Sequence, residues 1–391
     1  MSRNGGVASI RRANAEDAGP ILDLLAFYER PRSYFEPFYL SDPSYRPEHS
    51  WVADQDGRLV AHLRIFDRSI RVGGVGLRIA GVGNVITAPD QRGHGYAGQL
   101  LRAMLGVIPA EGFAYSLLRA YQPALYERHG WAPLDQELTR AQLPPLSAGS
   151  ATIVPFTDDD LPEVMRLYEE TNAERTGPTI RSPEYWRAQL RWLQEDRGDF
   201  LIARADDGAL AGYVRSRSGP HATEILELGV RSGDPEVGRA LLSAAATRGG
   251  GRIRGHLPPS LRTVFQPGER EIVGEFGLMG RVMDLAALAA TLGPVWLERL
   301  RSSGSRGGSF RLSTAAAGRT EVRVSASGIQ VDTQTTDGDV APLLDERAFA
   351  HLLFRGFDGA ASGLIGAQPN SSLLRVLFPE QDFVIWRTDA F

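Results

Sequence analysis

The segment GVGNVITAPDQRGHGYAGQLLRAM, which runs from Gly81 to Met104, constrains the fold of this chain more than any other. With the residues just before it, it predicts a strand over Ile79–Ile86, a glycine-bearing loop over Arg92–Ala97 and an amphipathic helix over about Gly98–Leu105. Glycines allow a backbone to approach a ligand closely. The free N–H groups at the start of the next helix form an anion site. A strand, loop and helix in this order therefore predict a phosphate-binding loop.

The motif inside this segment is short. Arg92, Gly95 and Ala97 satisfy the pattern R-x-x-G-x-[GA]. On its own, such a pattern is more often a plain glycine turn before a helix. The strand before it and the amphipathic helix after it favour the binding loop.

Length and composition place the chain among multidomain globular proteins. Its 391 residues predict two or three domains. No apolar run approaches the roughly 20 residues of a membrane span. The N-terminal sequence MSRNGGVASIRR lacks the apolar core of a signal peptide, so we expect a cytoplasmic protein. There is no cysteine, which excludes disulfides, thiolate metal sites and a cysteine nucleophile, and the seven scattered histidines predict no metal site.

The charges argue against nucleic-acid binding. The formal net charge is −4, whereas nucleic-acid-binding domains carry a basic excess. All 43 basic residues are arginines.

The first 141 residues predict a unit of alternating strands and helices. Asn14 and Asp17 are placed to form a capping box at the start of the first helix. A hairpin, a further antiparallel strand, the central segment, another strand and a short helix ended by Gly130 then follow. The expected bounds are Trp51–Ala53, Leu59–Phe66 and Arg68–Val72 before the central segment, and Phe113–Leu118 and Tyr121–Trp131 after it.

Residues 29–50 are rich in aromatic side chains, proline and acids. Two interpretations stand side by side. The segment is either an ordinary surface loop or, next to a cofactor, a loop whose Tyr, Phe and Glu side chains wall a substrate pocket.

The pattern begins again after residue 150. IRRANAEDAGPILDLL from Ile10 has a partner in IVPFTDDDLPEVMRLY from Ile153, and WVADQDGRLVAHLR from Trp51 is echoed by LIARADDGALAGYVR from Leu201. The copies then diverge, because ILELGVRSGDPEVGRALLSAA keeps the strand and the helix but lacks R-x-x-G-x-[GA]. The chain therefore contains an internal repeat, and we expect its second copy to be structural.

The last region predicts an α+β arrangement. Short strands are expected over Ser309–Leu312, Glu321–Val324 and Gly328–Val331, and short helices over Glu346–Phe354, Ala360–Leu364 and Leu373–Leu377. The chain ends in FVIWRTDAF, which stays apolar and aromatic to its last residue. Disordered tails are poor in such residues, so a docked C-terminus is favoured over a frayed one.

R-x-x-G-x-[GA] between a strand and a helix resembles the pyrophosphate loop of the GCN5-related N-acetyltransferases. Two tandem domains of this type, the second degenerate, precede an α+β domain that resembles the sterol-carrier-protein fold. Over essentially the whole chain, this order resembles the enhanced-intracellular-survival (Eis) type of N-acetyltransferase. The implied fold class is α/β (α+β), with domains at 1–145, 146–288 and 289–391. The resemblance also implies a homo-oligomer, a hexamer.

The resemblance assigns roles to individual residues. It implies that acetyl-CoA, the acetyl donor, binds in the first domain. Tyr126 matches the tyrosine near the thioester sulfur, and Phe391 matches the terminal residue whose carboxylate serves as base. Val85 and Ile86 match the strand residues whose backbone holds the acetyl carbonyl and pantetheine. The positions of the pyrophosphate loop are Arg92, Gly93, His94, Gly95, Tyr96 and Ala97.

The implied function is acetyl-CoA-dependent N-acetylation of a small-molecule primary amine by direct attack on the thioester. Such an amine has a pKa near 10 and must lose a proton. The Phe391 carboxylate would take that proton, and Tyr126 would protonate the departing thiolate. A backbone N–H of the Val85–Ile86 strand would stabilise the oxyanion. Direct transfer agrees with the absence of cysteine.

Rival interpretations accompany these roles. A packed amphipathic tyrosine is the rival for Tyr126, and an exposed loop side chain is the rival for His94. The alternative function is a non-catalytic acetyl-CoA sensor, or a carrier of an apolar ligand in the C-terminal domain. Some acids would suit a cationic acceptor such as an aminoglycoside, but they are equally ordinary surface charges. They are Glu29, Glu36, Asp42 and Asp389.

Overall fold

Three β-sheets, of seven, seven and four strands, organise the chain. The computed structural model describes residues 8–144, 151–195, 198–266, 268–275, 277–332, 343–358 and 371–389. The strands are β1 (Ser9–Arg12), β2 (Ser50–Gln55), β3 (Arg58–Val72), β4 (Val75–Thr87), β5 (Tyr115–Arg119), β6 (Ala132–Pro133), β7 (Gln136–Gln142), β8 (Thr152–Pro155), β9 (Gly198–Arg204), β10 (Leu210–Ser218), β11 (Thr223–Val230), β12 (Arg252–Gly255), β13 (Arg270–Glu275), β14 (Leu278–Val282), β15 (Gly308–Thr314), β16 (Gly318–Ser325), β17 (Gly328–Asp332) and β18 (Leu344–Asp345). The helices are α1 (Ala18–Leu25), α2 (Arg32–Leu40), α3 (Tyr96–Leu105), α4 (Pro123–Glu127), α5 (Leu161–Asn172), α6 (Pro183–Glu195), α7 (Pro235–Ala246), α8 (Leu285–Ser302), α9 (Glu346–Arg355) and α10 (Ser371–Leu377). Over the described ranges, none of them combines enough length with enough apolar character to cross a bilayer.

The first sheet is antiparallel except at its centre. Its order is β1-β2-β3-β4-β5-β14-β6, and β4 and β5 are its parallel pair. The capping box ahead of α1 is present: the Asn14 side chain accepts the N–H of Glu16 at 2.8 Å, and Asp17 accepts the N–H of Asn14 at 2.8 Å. Apolar residues of α3 share a core with Trp51 and Ala53 of β2, whereas those of α1 share one with Val52, so the two helices pack on opposite faces of this sheet.

The second sheet repeats the first. Its order is β13-β7-β12-β11-β10-β9-β8. Counted from β8, its strands follow one another as those of the first sheet do from β1, and β11 and β12 are its parallel pair, as β4 and β5 are in the first sheet. The helix after β8 is also preceded by a capping box, in which the N–H of Thr157 donates to Asp160 at 2.7 Å. The matching strand order and capping boxes confirm the internal repeat.

The two units exchange strands. β14 follows the second unit in the sequence but pairs with β5 and β6 in the first sheet, where Met279 lies opposite Leu118 and Pro133. β7 precedes the second unit but pairs with β12 and β13. The domain limits stay a prediction. A limit at residue 145 would leave β7 with the first unit and β14 with the second, although each strand belongs to the other unit's sheet.

The last region covers the face of the first sheet opposite α3. β15, β16 and β17 are antiparallel, and β18 runs parallel to β15. Trp296 of α8 packs against Phe310 and Phe378, with ring centroids 6.2 and 5.4 Å apart. The same core includes Ile79 of β4. The α+β arrangement is thus confirmed, while the helix expected at 360–364 lies outside the described residues.

The prediction of a loop over residues 29–50 was wrong in part. Helix α2 begins directly after Pro31 and contains Pro37. Tyr39 is buried in the core beneath α1, and the ring of Phe38 stacks on Trp192 of α6 at 5.6 Å. These tertiary contacts stabilise a helix that its own sequence does not favour, because proline inside a helix is unfavourable.

The break predicted at Asp67 was also wrong. β3 is one strand of 15 residues that runs from Arg58 to Val72. The chain turns at Gly73 and Gly74 instead, whose φ angles are 59° and 93°. A two-residue hairpin turn of this kind requires positive φ, which glycine adopts without strain.

Gly280 allows β14 to fit into the first sheet, because a Cβ there would lie 2.3 Å from the Tyr115 hydroxyl oxygen. We predict that Gly280→Ala lowers the free energy of unfolding by about 1–3 kcal/mol, since a close-packed core does not accept an added methyl group. Gly274→Ala in β13 is the matched control, because Gly274 is exposed and its Cβ would meet nothing within 4 Å. Denaturant unfolding compares the two variants. Equal stability would contradict this account of β14.

Candidate active site

The parallel strands β4 and β5 separate partway along the first sheet. Their pairing runs from Ile79 opposite Tyr115 to Val82 opposite Leu118. β4 continues to Thr87 without β5 beside it. We call the space beyond this last pair the first gap. On the side of β4 that faces β5, the backbone of residues 83–87 is available to a ligand that lies between the two strands.

A β-bulge turns the backbone of β4 beside the first gap. The register with β3 shifts between His62 and Arg64, and Asn84 adopts a left-handed φ of 52°. The Nδ1–H of His62 donates to the Asn84 carbonyl at 2.9 Å. Complete burial lowers the pKa of His62 to about 3, so the ring is neutral. Bulges of this kind change the direction of the groups that follow, here those of Val85 and Ile86.

Tyr28 contacts the strand just after the bulge. Its hydroxyl donates to the Val85 carbonyl at 2.7 Å. Partial burial and the nearby Tyr126 both raise the pKa of Tyr28, whose side chain stays partly exposed. The structure therefore brings Val85, Tyr28 and Tyr126 together from three separate parts of the sequence.

The predicted phosphate loop is open to solvent. Gly93 and Gly95 have φ angles of 85° and 75°, and residues 92–95 are exposed. Gly95 precedes α3, and no side chain caps the first N–H groups of this helix. The nearest acid in sequence is already paired, because both guanidinium nitrogens of Arg58 bind Asp90 at 2.7 and 2.8 Å. An uncapped helix start beside a neutralised acid can receive an anion.

Helix α3 begins two residues earlier than predicted, at Tyr96. The Tyr96 side chain is buried in a core with Leu100 and Met104. Only the backbone of Tyr96 is therefore available to a ligand in the loop. His94 is exposed, its ring stacks on Tyr96 at 5.9 Å, and its Nδ1 contacts the Gln91 carbonyl at 3.1 Å.

Tyr126 lies on the short helix α4 and is 8% exposed. Its ring meets Trp131 edge-on, with centroids 6.2 Å apart. Burial raises the pKa of Tyr126 to about 12, so the phenol keeps its proton at neutral pH. In the part of the chain that the structure describes, no group hydrogen-bonds to this hydroxyl. A buried phenol that keeps its proton is available as a proton donor.

The other predicted catalytic residue, Phe391, lies outside the described residues, which end at Asp389. Asp389 is buried and bound to the second unit: Arg181 donates to its two oxygens at 2.9 and 2.8 Å, and Gln189 donates at 2.9 Å. Asp389 is also among the groups that raise the pKa of Arg68 in β3. Asp389 is thus anchored in the second unit, close to Arg68 of the first.

Two of the four acids proposed for a cationic acceptor are occupied. Asp389 is one, as described above. Asp42 is the other, because it is buried between Arg64 at 2.8 Å and Arg68 at 2.7 Å. Glu29 and Glu36 are exposed. Only the latter two remain accessible to an incoming ammonium group.

A row of aromatic rings leads from the first gap to the second unit. Tyr28 lies 6.0 Å from Phe35, and α2 continues the row to Phe38, which stacks on Trp192. One of the two interpretations of residues 29–50 placed their aromatic side chains beside the cofactor, and neither interpretation included Trp192. Its contact with α2 joins residues far apart in the chain, and no local signal could have identified it.

A comparison with protein families matches residues 9–134 to the acetyltransferase (GNAT) domain family. This match covers the first sheet up to β6, including the first gap, the open loop and Tyr126. No curated protein matches the chain.

Solved structures share the fold over nearly the whole chain. A GCN5-related N-acetyltransferase from Kribbella flavida is 18% identical with a TM-score of 0.70, over 98% of this chain and 99% of that one. One from Anabaena variabilis is 17% identical with a TM-score of 0.70, over 98% and 100%. Eis1 from Mycobacterium abscessus is 19% identical with a TM-score of 0.67, over 98% and 100%.

These likenesses confirm the predicted α/β fold class of tandem acetyltransferase-like units with an additional C-terminal α+β region. GNAT domains take their acetyl group from acetyl-CoA. Residues 9–134 match the GNAT acetyltransferase domain family, and the protein is an N-acetyltransferase with acetyl-CoA as its donor.

Proposed function

We propose that this protein is an N-acetyltransferase of the Eis type, which transfers the acetyl group of acetyl-CoA directly to a small-molecule primary amine. The observation that carries the proposal is the first gap. At one end it meets an open glycine loop before an uncapped helix. At the other it meets the bulged strand at Val85 and the buried phenol of Tyr126.

The donor would bind along β4. Its pyrophosphate would lie on the N–H groups of the loop and of the first turn of α3, which favour negative charge. Arg92 is exposed there and adds a positive charge. The pantetheine would pair with the free side of residues 83–87, as an added strand pairs with a sheet edge. The acetyl carbonyl would then lie at Val85 and Ile86.

The transfer needs two proton movements. The amine nitrogen attacks the thioester carbon, and its proton passes to the Phe391 carboxylate, which afterwards releases it to water. A backbone N–H at Val85–Ile86 stabilises the tetrahedral oxyanion. The carbon–sulfur bond then breaks, and the CoA thiolate takes the proton of the Tyr126 hydroxyl, which water restores. A phenol with a pKa of about 12 is still protonated when the thiolate forms.

The acceptor would approach along the aromatic row between α2 and α6. Ring faces attract ammonium groups, and Glu29 and Glu36 add exposed carboxylates. A cationic amine fits this surface, and aminoglycosides are one such class. Asp42 would not contact the amine, because Arg64 and Arg68 enclose it.

The other two domains complete the proposal. We assign residues 146–288 to a degenerate acetyltransferase-like domain and residues 289–391 to a sterol-carrier-protein-like domain. The hexamer stays a prediction. An apolar-ligand carrier is less favoured, because the core of the third sheet is filled by Trp296, Phe310 and Phe378 in ring contact.

A substitution at Gly95 tests whether the predicted pyrophosphate loop binds acetyl-CoA. We predict that Gly95→Asp raises the Kd for acetyl-CoA by about tenfold or more, because the new carboxylate would repel the pyrophosphate. Gly57→Asp is the matched control: Gly57 also has a left-handed φ with nothing near its Cβ, but it lies in the β2–β3 turn. Calorimetric titration measures both. An equal Kd in the two variants would place the pyrophosphate elsewhere.

Tyr126 tests the proton donor. We predict that Tyr126→Phe lowers kcat by about a hundredfold while the Kd for acetyl-CoA is kept, since a general acid contributes about 10²–10⁴ in rate. Tyr121→Phe is the control, because Tyr121 is 99% exposed on the same segment. Release of free CoA thiol over an amine panel gives kcat. Unchanged kcat in Tyr126→Phe would leave the tyrosine a packing residue.

Moving the terminal carboxylate by one residue tests its role as the base. Removal of Phe391 leaves a carboxylate on Ala390, displaced by about 3.5 Å along the chain. We predict that kcat falls by about a hundredfold, whereas Phe391→Leu, which keeps the carboxylate in place, retains most activity. Steady-state kinetics give kcat for both variants. If the shortened chain matched the intact one, Phe391 would have no part in the reaction.

A further inference from the structure

The second sheet contains a gap like that of the first. β11 and β12 pair in parallel from Thr223 opposite Ile253 to Ile225 opposite Gly255 and then separate. β11 continues to Val230 alone on that side. We call the space beyond Ile225 and Gly255 the second gap. By the internal repeat, it corresponds to the first gap.

The second gap differs from the first at the helix that follows the strand. α7 is capped by Asp234, whose carboxylate accepts the N–H groups of Glu236 at 2.9 Å and Val237 at 3.3 Å. The cap uses the N–H groups that an anion would need, and its negative charge repels phosphate. A nucleotide cofactor therefore does not suit this gap.

The chain's own residues 383–389 occupy it instead. The N–H of Arg387 donates at 3.0 Å to the carbonyl of Leu226, the first residue of β11 beyond its pairing with β12. Val384 and Trp386 are buried in the core of the second unit. On the other side, the N–H of Val384 donates to the Thr176 carbonyl at 3.0 Å.

The fit around this segment is close. A Cβ at Gly177 would lie 2.2 Å from the Val384 carbonyl oxygen. The indole N–H of Trp386 donates to Asn172 at 3.0 Å. Gln189 donates to the Thr388 carbonyl at 2.8 Å. Main-chain bonds with pockets for alternate side chains are the features of a peptide-binding groove.

Ion pairs hold Asp389, the last described residue of the segment, in place. Arg181 holds Asp389 on one side and Glu227 of β11 on the other, with Nη1 to Oε1 at 3.1 Å. All three side chains are buried. The Arg181 guanidinium also lies 4.0 Å from the ring centroid of Tyr168. Asp389 therefore has a single well-defined position, two residues before the last one in the sequence.

We propose that the second gap is a peptide-binding site whose ligand is residues 383–389 of the same chain, and that its occupation sets the position of the chain end in the first unit. The second half rests on the proposed role of Phe391. Arg181 and Asp389 act through that residue and are positioning residues. The degenerate unit thus binds an extended, largely apolar peptide at the place where the first unit would bind acetyl-CoA.

Asp389→Ala in the full chain tests the proposal. It removes the anchor but leaves Arg181 paired with Glu227. We expect amide hydrogen exchange of residues 383–389 to accelerate by about tenfold or more. We expect kcat to fall by about tenfold or more, with the Kd for acetyl-CoA unchanged. Asp358→Ala, which breaks only an exposed pair with Arg375, is the control and should change none of the three.

The peptide FVIWRTDAF provides the second measurement. Added in excess to Asp389→Ala, it should enter the vacated gap and restore at least part of the lost turnover. The same peptide without its last residue should bind but not restore it. Rescue requires a folded enzyme, so it also excludes misfolding of the variant as the cause of the loss.

Two outcomes would overturn the proposal. Unchanged exchange of residues 383–389 in Asp389→Ala would show that the anchor does not hold the segment. Faster exchange with unchanged kcat would show that the segment does not position the chain end. A protein without turnover on any amine would count against the proposed function instead, and the exchange measurement would still test the peptide site.

Discussion

Each of the two large sheets depends on one constraint: two parallel strands that pair for a few residues and then separate. Beyond that point, one strand presents backbone groups that lack a strand partner, and buried backbone groups must be satisfied. In the first sheet the gap begins after Val82, next to a bulge that redirects Val85. In the second it begins after Ile225, and Arg387 supplies a partner from the chain's own end. In the functions that we propose, the same geometry serves two ligands.

The second constraint is a set of buried charges that ties the units together. Asp389 is bound by Arg181 of the second unit and also acts on Arg68 of the first, which in turn binds Asp42. Removal of one partner from a buried pair costs about 3–5 kcal/mol, because the other charge is left uncompensated. Arginine suits such sites better than lysine, since its planar fork binds carboxylates through two hydrogen bonds. This chain, whose basic residues are all arginines, uses it at each of these positions.

Local signals predicted the local structure. The capping box at Asn14, the glycine loop before α3 and the repeat between the two units were predicted from the sequence, and the structure confirms each of them. Helix α2 escaped prediction because its stability comes from contacts with α1 and α6 rather than from its own propensity.

Long-range pairings could not be derived from the sequence. Nothing near residues 278–282 indicates that β14 completes the first sheet, or near 136–142 that β7 belongs to the second. The apolar character of FVIWRTDAF predicted that the chain end docks, and residues 383–389 are docked. Its position in the second gap depends on Arg181 and Glu227, which are distant in the sequence and carry no pattern that links them to the tail.

The two helix starts explain how one fold supports both a binding unit and a structural one. At α7, the Asp234 cap satisfies N–H groups, and such caps are worth about 1 kcal/mol. At α3, Gly95 offers no side chain, so the first unit forgoes that stabilisation and keeps its N–H groups exposed. Binding sites commonly sacrifice stability in this way. In the proposed function the second unit does not bind a phosphate, so its helix start can be optimised for stability. The backbone groups of β11 beyond Ile225 still need hydrogen-bond partners. The segment 383–389 supplies such groups from its own backbone, and its Asp389 carboxylate binds Arg181.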